Sequence, residues 1–265
     1  MTLTTFTDIQ YILSQQEYIR WFGLGLISTI ILSVLGTIIG LFLGIFIAFG
    51  KRIQYNKNLR FYQKLYRYPL KWIANIYSVV VRGTPMMVQA MIFQYFCLNI
   101  GINWNYILTG NEVFTGWLWG GLIVISLNTA AYMGEIIRSG LNGIGVDQTE
   151  GAKSLGMTPI KTLFLVELPQ ALKNSIPTIG NESIVNIKDS SVLNVVGVAE
   201  LFYRTKDIAG STYKILACYL IVAAIYLVLT LCTTLILKLV SLKLDGKKFN
   251  VSFFHFKNKE VSNNA

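Results

Sequence analysis

Charge is scarce in this sequence: only 14% of its 265 residues are Asp, Glu, Lys or Arg, where a soluble domain carries about 25%. A water-soluble fold of this length needs a charged surface that is not here, so lipid is the indicated solvent and a disordered chain is excluded. Histidine is nearly absent. The one residue, His255, lies in the polar tail, which leaves no imidazole for catalysis within the apolar segments. Cysteine is sparse and odd in number: Cys97, Cys218 and Cys232 are scattered through apolar stretches, a spacing that fits neither a disulfide framework nor a metal cluster. No Gly-x-x-x-x-Gly-Lys-Ser/Thr phosphate loop occurs, so the chain carries none of the nucleotide chemistry of that motif. No basic n-region precedes the first apolar run and no small-residue cleavage site accompanies it, so a removable signal peptide is not expected.

Apolar residues make up 53% of the chain, and they fall in long runs. A helix needs about 20 of them to cross roughly 30 Å of hydrocarbon. Residues 22–50 meet that without one charge. Further candidates are about 72–100, which contains Arg82 and Pro85, and about 113–137, clear until Glu135. About 176–199 is interrupted by Glu182, Lys188 and Asp189, and about 215–240 is plainly apolar. The reading is an all-α polytopic membrane protein with about five transmembrane helices. Gly36, Gly40 and Gly44, and Gly116 with Gly120, recur at four-residue spacing, which lets helix backbones approach closely in lipid. Trp21, Trp72, Trp117 and Trp119 sit near span ends as interfacial anchors.

The net charge of +10 is concentrated rather than spread. Lys51, Arg52, Lys57, Arg60, Lys64, Arg67 and Lys71 share one segment without an acid, and Lys238, Lys243, Lys247, Lys248, Lys257 and Lys259 follow the last apolar run. A nucleic-acid binder would gather cations on a soluble face; cations beside apolar spans mark cytoplasmic loops. Five crossings put both clusters on one side with the 138–175 segment. The expectation is an outside N-terminus, a cytoplasmic C-terminus, an extracytoplasmic segment 1–21, a transmembrane domain 22–240 and a cytoplasmic tail 241–265.

Residues 138–175 are too polar to span. Asp147 with Glu150 predicts a capping-box-like helix start, running through Ala152 to Leu155 and stopping at Gly156. Thr158 then reads as an N-cap with Pro159 at the first helical position. This second helix should end near Leu168, before Pro169. Two short helices on a glycine turn make a compact hairpin suited to docking.

Glu150-Gly151-Ala152, then Gly156, then Val166-Glu167-Leu168-Pro169 resembles the cytoplasmic EAA loop of ABC importer permeases, with Gly151 in place of an alanine and Val166 in place of an isoleucine. Arg82-Gly83-Thr84-Pro85, with Asn128-Thr129-Ala130-Ala131-Tyr132 and Lys188-Asp189-Ser190-Ser191, looks like the polar amino acid branch of that family. The resemblance implies a membrane-embedded, non-enzymatic importer subunit for a polar L-amino acid such as glutamine, arginine, histidine or cystine. It implies a cytoplasmic ATPase dimer that binds ATP and Mg, a second permease subunit, identical or homologous, and an extracytoplasmic binding protein. No cofactor or metal belongs to this chain, and no nucleic acid is expected. Within residues 147–169, Glu150, Gly151, Ala152, Leu155, Gly156, Met157 and Ile160 are the candidate ATPase-docking residues, with Leu155, Met157 and Ile160 giving the apolar contact.

Ionisable groups at bilayer depth face the bundle interior or an aqueous cavity. Arg82 precedes Gly-Thr-Pro, which should break the helix there and offer free amides near Thr84 to an anion. Arg82 therefore either meets a solute carboxylate or staples the bundle by pairing with Glu135 or Asp189. Thr178, Glu182, Asn186 and Asp189 recur at helical spacing and predict one wet face; Glu182 suits a solute ammonium, and Lys188 with Asp189 forms a gate or a fixed pair. The candidate solute contacts are Arg82, Thr84, Asn128, Glu182 and Asp189, with interhelical hydrogen bonding the simpler role for Asn128. An ion-coupled secondary transporter, or more weakly a membrane-embedded enzyme or scaffold, are the alternatives.

Overall fold

A computed structural model describes residues 3–53, 61–102, 104 and 116–244. Most of the 103–112 connection, Lys57, Arg60 and the tail beyond Leu244 with His255 lie outside the described residues. The described chain is helical: α1 (Leu3–Ser14), α2 (Gln16–Arg52), α3 (Phe61–Gly83), α4 (Met86–Asn99), α5 (Gly116–Asn142), α6 (Val146–Ser154), α7 (Pro159–Thr162), α8 (Leu168–Asp189), α9 (Leu201–Thr212) and α10 (Ile215–Leu244). Three of these, α2, α5 and α10, are long and apolar enough to cross a membrane, and the bent pair α3–α4 makes a fourth if counted as one span. The expected 176–199 crossing is not one straight apolar helix. It corresponds to the more polar α8 followed by a 3-10 turn over Ser190–Val196 that stops at Gly197, φ 82°. The helix that carries the first apolar run begins before residue 22, because the polar stretch 16–21 continues it.

The bundle is organised around α5, the most buried of the apolar helices. A Cβ at Gly36, Gly40 or Gly44 of α2 would lie 2.8, 2.7 and 2.5 Å from Ile125, Thr129 and Met133 of α5. Bare backbone on one side therefore sets the α2–α5 distance, as small residues do in lipid. On α5 the close approach is made by Gly121, against Val198, and Gly134, against Ile47. Gly120, expected to serve this purpose, meets Trp104 and Trp117 only at ordinary contact distance.

Asn186 corrects the expected wet face of α8. It is 3% exposed, donates from Nδ2 to Thr37 Oγ1 at 2.9 Å and accepts from Thr129 Oγ1 at 2.9 Å. A buried amide needs partners for both ends, and α2 and α5 supply them here. Asn186 thus faces the three-helix contact, while Glu182 and Thr178, one and two turns back along the same side of α8, are progressively less buried.

The hairpin also departs from expectation in two places. The α6 N-cap is Gly145, without a side-chain cap bond, so the Asp147–Glu150 capping box is not formed: both carboxylates are exposed and the helix starts two residues too early for them. The second helix does not stop before Pro169. It widens into a π turn over Leu163–Glu167, where the Leu168 N–H donates to Leu163 O, and runs on as α8. A proline lacks a donor and crowds the carbonyl four residues back; the wider turn absorbs that misfit just ahead of Pro169. The glycine turn and the Thr158 cap are as expected: Gly156 has φ 76°, and Thr158 Oγ1 accepts from the Lys161 N–H.

At the opposite end of the bundle, α9 lies against α2, with the Gly25 Cβ position 2.7 Å from Leu201 Cα. Glu200 is buried and caps α9, accepting from the Phe202 and Tyr203 amides at 2.9 and 2.7 Å and from the Tyr226 hydroxyl of α10 at 2.9 Å.

Candidate translocation and docking sites

α3 ends on Arg82 and Gly83, and Thr84 and Pro85 separate it from α4, which departs at 111°. A helix broken at this depth exposes carbonyls that need donors. Gln89, one turn into α4, supplies them. Its Nε2 donates to Val81 O at 2.7 Å and Thr84 O at 3.0 Å, and lies 2.9 Å from Thr84 Oγ1. Asn128 of α5 donates in turn to Gln89 Oε1 at 3.0 Å. Thr84 and Asn128 are thereby joined through a residue to which the sequence reading gave no role.

Arg82 pairs with Glu135, not Asp189: Nη1 lies 3.3 Å from Glu135 Oε1. Its guanidinium also sits over the Tyr132 ring, 5.5 Å from the centroid. Glu135 is a hub. It accepts from Arg138 Nε at 2.9 Å and from Lys51 Nζ of α2. Tyr132, Glu135 and Arg138 share one face of α5 because residues three apart are neighbours on a helix. The Arg82 side chain remains 43% exposed, and a guanidinium carries five donors, so pairing with Glu135 leaves it capacity for an anion. Glu182 is within electrostatic reach of both Arg82 and Asp189. Of the five candidate solute contacts, Glu182 is thus linked electrostatically to Arg82 and to Asp189, while Thr84 and Asn128 both bond Gln89 at the break. A cavity of about 440 Å³ continues between α5 and α8, lined by Glu135, Ser139, Asn174, Ser175 and Thr178 among others.

At the end of the bundle carrying α6 and α7, Leu155 is 85% exposed and Ile160 is 70% exposed. Phe164 and Leu165 extend the apolar surface, and Met157 is half-buried within it. An apolar patch of this kind marks an interaction surface. Glu150 and Gly151 are exposed, whereas Ala152 is buried and faces the bundle. Gly156 supplies the left-handed turn that folds α7 back. Glu167, in the Glu-Leu-Pro segment, is 5% exposed. It accepts from Arg52 at the end of α2 and from Thr149 Oγ1 of α6 at 3.1 Å. The sequence offered one signal for this tie, a lone acid in an apolar run, and it was absorbed into the motif.

Among the described residues no cluster of His, Cys, Asp and Glu suits a metal ion. The model of the family described as binding-protein-dependent transport system inner membrane component matches residues 40–246. The arginine transport system permease protein ArtQ of Bacillus subtilis (strain 168) is 39% identical over 67% of this chain and 77% of its own length. The L-cystine transport system permease protein TcyB of the same organism is 32% identical over 92% of this chain and 94% of its own. A crystal structure of an amino acid ABC transporter with histidines superposes with a TM-score of 0.71 at 34% identity, over 88% of this chain and 98% of that one.

Proposed function

This chain belongs to the family of binding-protein-dependent transport system inner membrane components, and from that premise we propose that it is the permease subunit of an ATP-driven importer for a polar L-amino acid. It is a transport component and not an enzyme. The observation that carries the solute class is the neighbourhood of Arg82, Glu182 and Asp189 beside a broken helix. One guanidinium and two carboxylates complement the carboxylate and ammonium of a zwitterion. The relatives named for arginine and cystine transport support the same class. Glutamine and histidine fit the same charges.

In this reading Arg82 holds the solute carboxylate, Glu182 the ammonium, and Asp189, Thr84 and Asn128 shape the path. A separate ATPase dimer, binding ATP and Mg, docks on residues 147–169: Leu155, Met157 and Ile160 enter its groove, Glu150 borders it, and Gly151, Ala152 and Gly156 keep the hairpin compact. A second permease subunit and an extracytoplasmic binding protein complete the assembly. The N-terminus with residues 1–21 is outside, residues 22–240 form the transmembrane domain, and the 241–265 tail is cytoplasmic.

The test is uptake of labelled amino acids into vesicles containing this chain with its ATPase and binding protein. ATP-dependent uptake that vanishes when residues 147–169 are deleted, with membrane insertion intact, is the expected result. Uptake driven by an ion gradient with this chain alone would overturn the reading.

A further inference from the structure

A second cavity, of about 420 Å³, opens between the end of α2, the start of α3 and the α6–α7 hairpin. Among the described residues three cations line it, Arg52, Arg67 and Lys153, against one carboxylate, Glu167. Glu167 is engaged by Arg52 and Thr149. Arg67 and Lys153 have no partner among the described residues, so the cavity keeps an excess of positive charge. Its other wall is apolar, built from Phe49, Ile53 and Leu163.

We propose that this cavity binds the phosphate of an anionic phospholipid headgroup. The chemistry is that of a phosphate diester: Arg67 offers a planar set of donors and Lys153 a compact charge, the two side chains that recognise phosphate. A free phosphate shares that chemistry, but the apolar wall has no use for it, whereas a lipid places acyl carbons there. Position argues the same way. Phe49 to Ile53 end a helix long and apolar enough to cross the membrane, so the cavity opens where headgroups lie, and basic pockets between membrane helices suit anionic lipids. The proposal rests on the chain's membrane placement and not on ATPase docking.

The test uses the full chain in nanodiscs of phosphatidylcholine with or without phosphatidylglycerol, followed by detergent extraction and mass spectrometry of the retained lipid. Phosphatidylglycerol is expected to be retained over phosphatidylcholine, and the double variant Arg67→Ala/Lys153→Ala to bind it about thirty-fold more weakly. Arg67→Lys/Lys153→Arg keeps the charges and should retain the lipid, which separates loss of charge from misfolding. Equal retention by wild type and the alanine double variant overturns the proposal, as does failure of the charge-conserving variant to retain lipid. In a further arm inorganic phosphate is added to phosphatidylcholine nanodiscs and acylation of Lys153 is followed. Protection by inorganic phosphate but not by phosphatidylglycerol assigns the cavity to a small anion and overturns the lipid. No ATPase, nucleotide or solute is present, so this result and that of the uptake assay are independent.

Discussion

Lys51 and Arg52 are consecutive residues at the end of α2, yet they hold different parts of the molecule: Lys51 the Glu135 carboxylate beside the helix break, Arg52 the Glu167 carboxylate under the α6–α7 hairpin. The path from the hairpin, the proposed docking element, to Arg82, the proposed solute contact, is therefore short: Thr149, Glu167, Arg52, Lys51, Glu135, Arg82. Each step is a hydrogen bond, an ion pair or a peptide bond. A hairpin displaced by an ATPase would drag the end of α2, and with it the partner of Arg82. Spatial continuity becomes coupling only when both ends bias one element; the element that both ends touch is α2.

Arg52→Ala should therefore uncouple hydrolysis from uptake. It leaves Glu167 buried without its cation, and because Arg52 is itself 35% exposed the stability loss should be about 2 kcal/mol rather than the full cost of a buried pair. Adding Glu167→Gln removes the stranded charge and should recover part of that loss, since contacting residues are non-additive. Thermal unfolding in detergent reads the stability, and solute-stimulated ATP hydrolysis reads the coupling. Strictly additive losses in the double variant would contradict the tie.

Arg82→Ala should lower uptake about ten- to hundred-fold, the worth of one or two charge-assisted hydrogen bonds, while the assembled transporter still purifies intact. Glu135 keeps Lys51 and Arg138 as partners, so the bundle does not depend on this one cation. Arg82→Lys should rescue only part of the uptake, because the planar donor set is lost. Failure of the alanine variant to assemble would instead assign Arg82 a purely structural role.

Gln89→Ala strips the donors from Val81 O and Thr84 O at the break, and each orphaned carbonyl should cost about 1–3 kcal/mol. Gln89→Glu should be no better, since a carboxylate accepts where donation is needed. Both variants should unfold at lower temperature than wild type. Asn128→Ala should destabilise less, because it removes a single bond to Gln89. An unchanged unfolding temperature for Gln89→Ala would mean that water or lipid satisfies the break.

How much of this was legible in the sequence depended on range. The helix break at Gly83–Pro85, the Gly156 turn and the Thr158 cap follow from local backbone chemistry, and proline and glycine announced them. The long apolar helices followed from composition. Most of what failed was decided by distant neighbours. Asn186 has the spacing of a wet face, but Thr37 and Thr129, far away in the chain, take both ends of its amide. Pro169 carries the local signal of a helix end, yet a π turn lets the helix continue. Gln89 and Glu167 act through carbonyls and cations that only the folded chain brings to them.

Gly151 is the one departure from the loop pattern with a direct test. A Cβ added there meets nothing within 4 Å, so alanine fits without displacing a neighbour. The helix gains about 0.5–1 kcal/mol from the better propensity. Gly151→Ala should therefore raise the protection of α6 amides from hydrogen exchange and leave ATPase association unchanged. Leu155→Asp should do the converse. Leu155 is exposed, so folding and thermal stability stay within about 0.5 kcal/mol of wild type, but a charge driven into an apolar groove should abolish co-purification of the ATPase. Co-purification that survives Leu155→Asp would place the docking contact elsewhere, whereas weaker ATPase association of Gly151→Ala would mean that α6 bends at Gly151 when it docks.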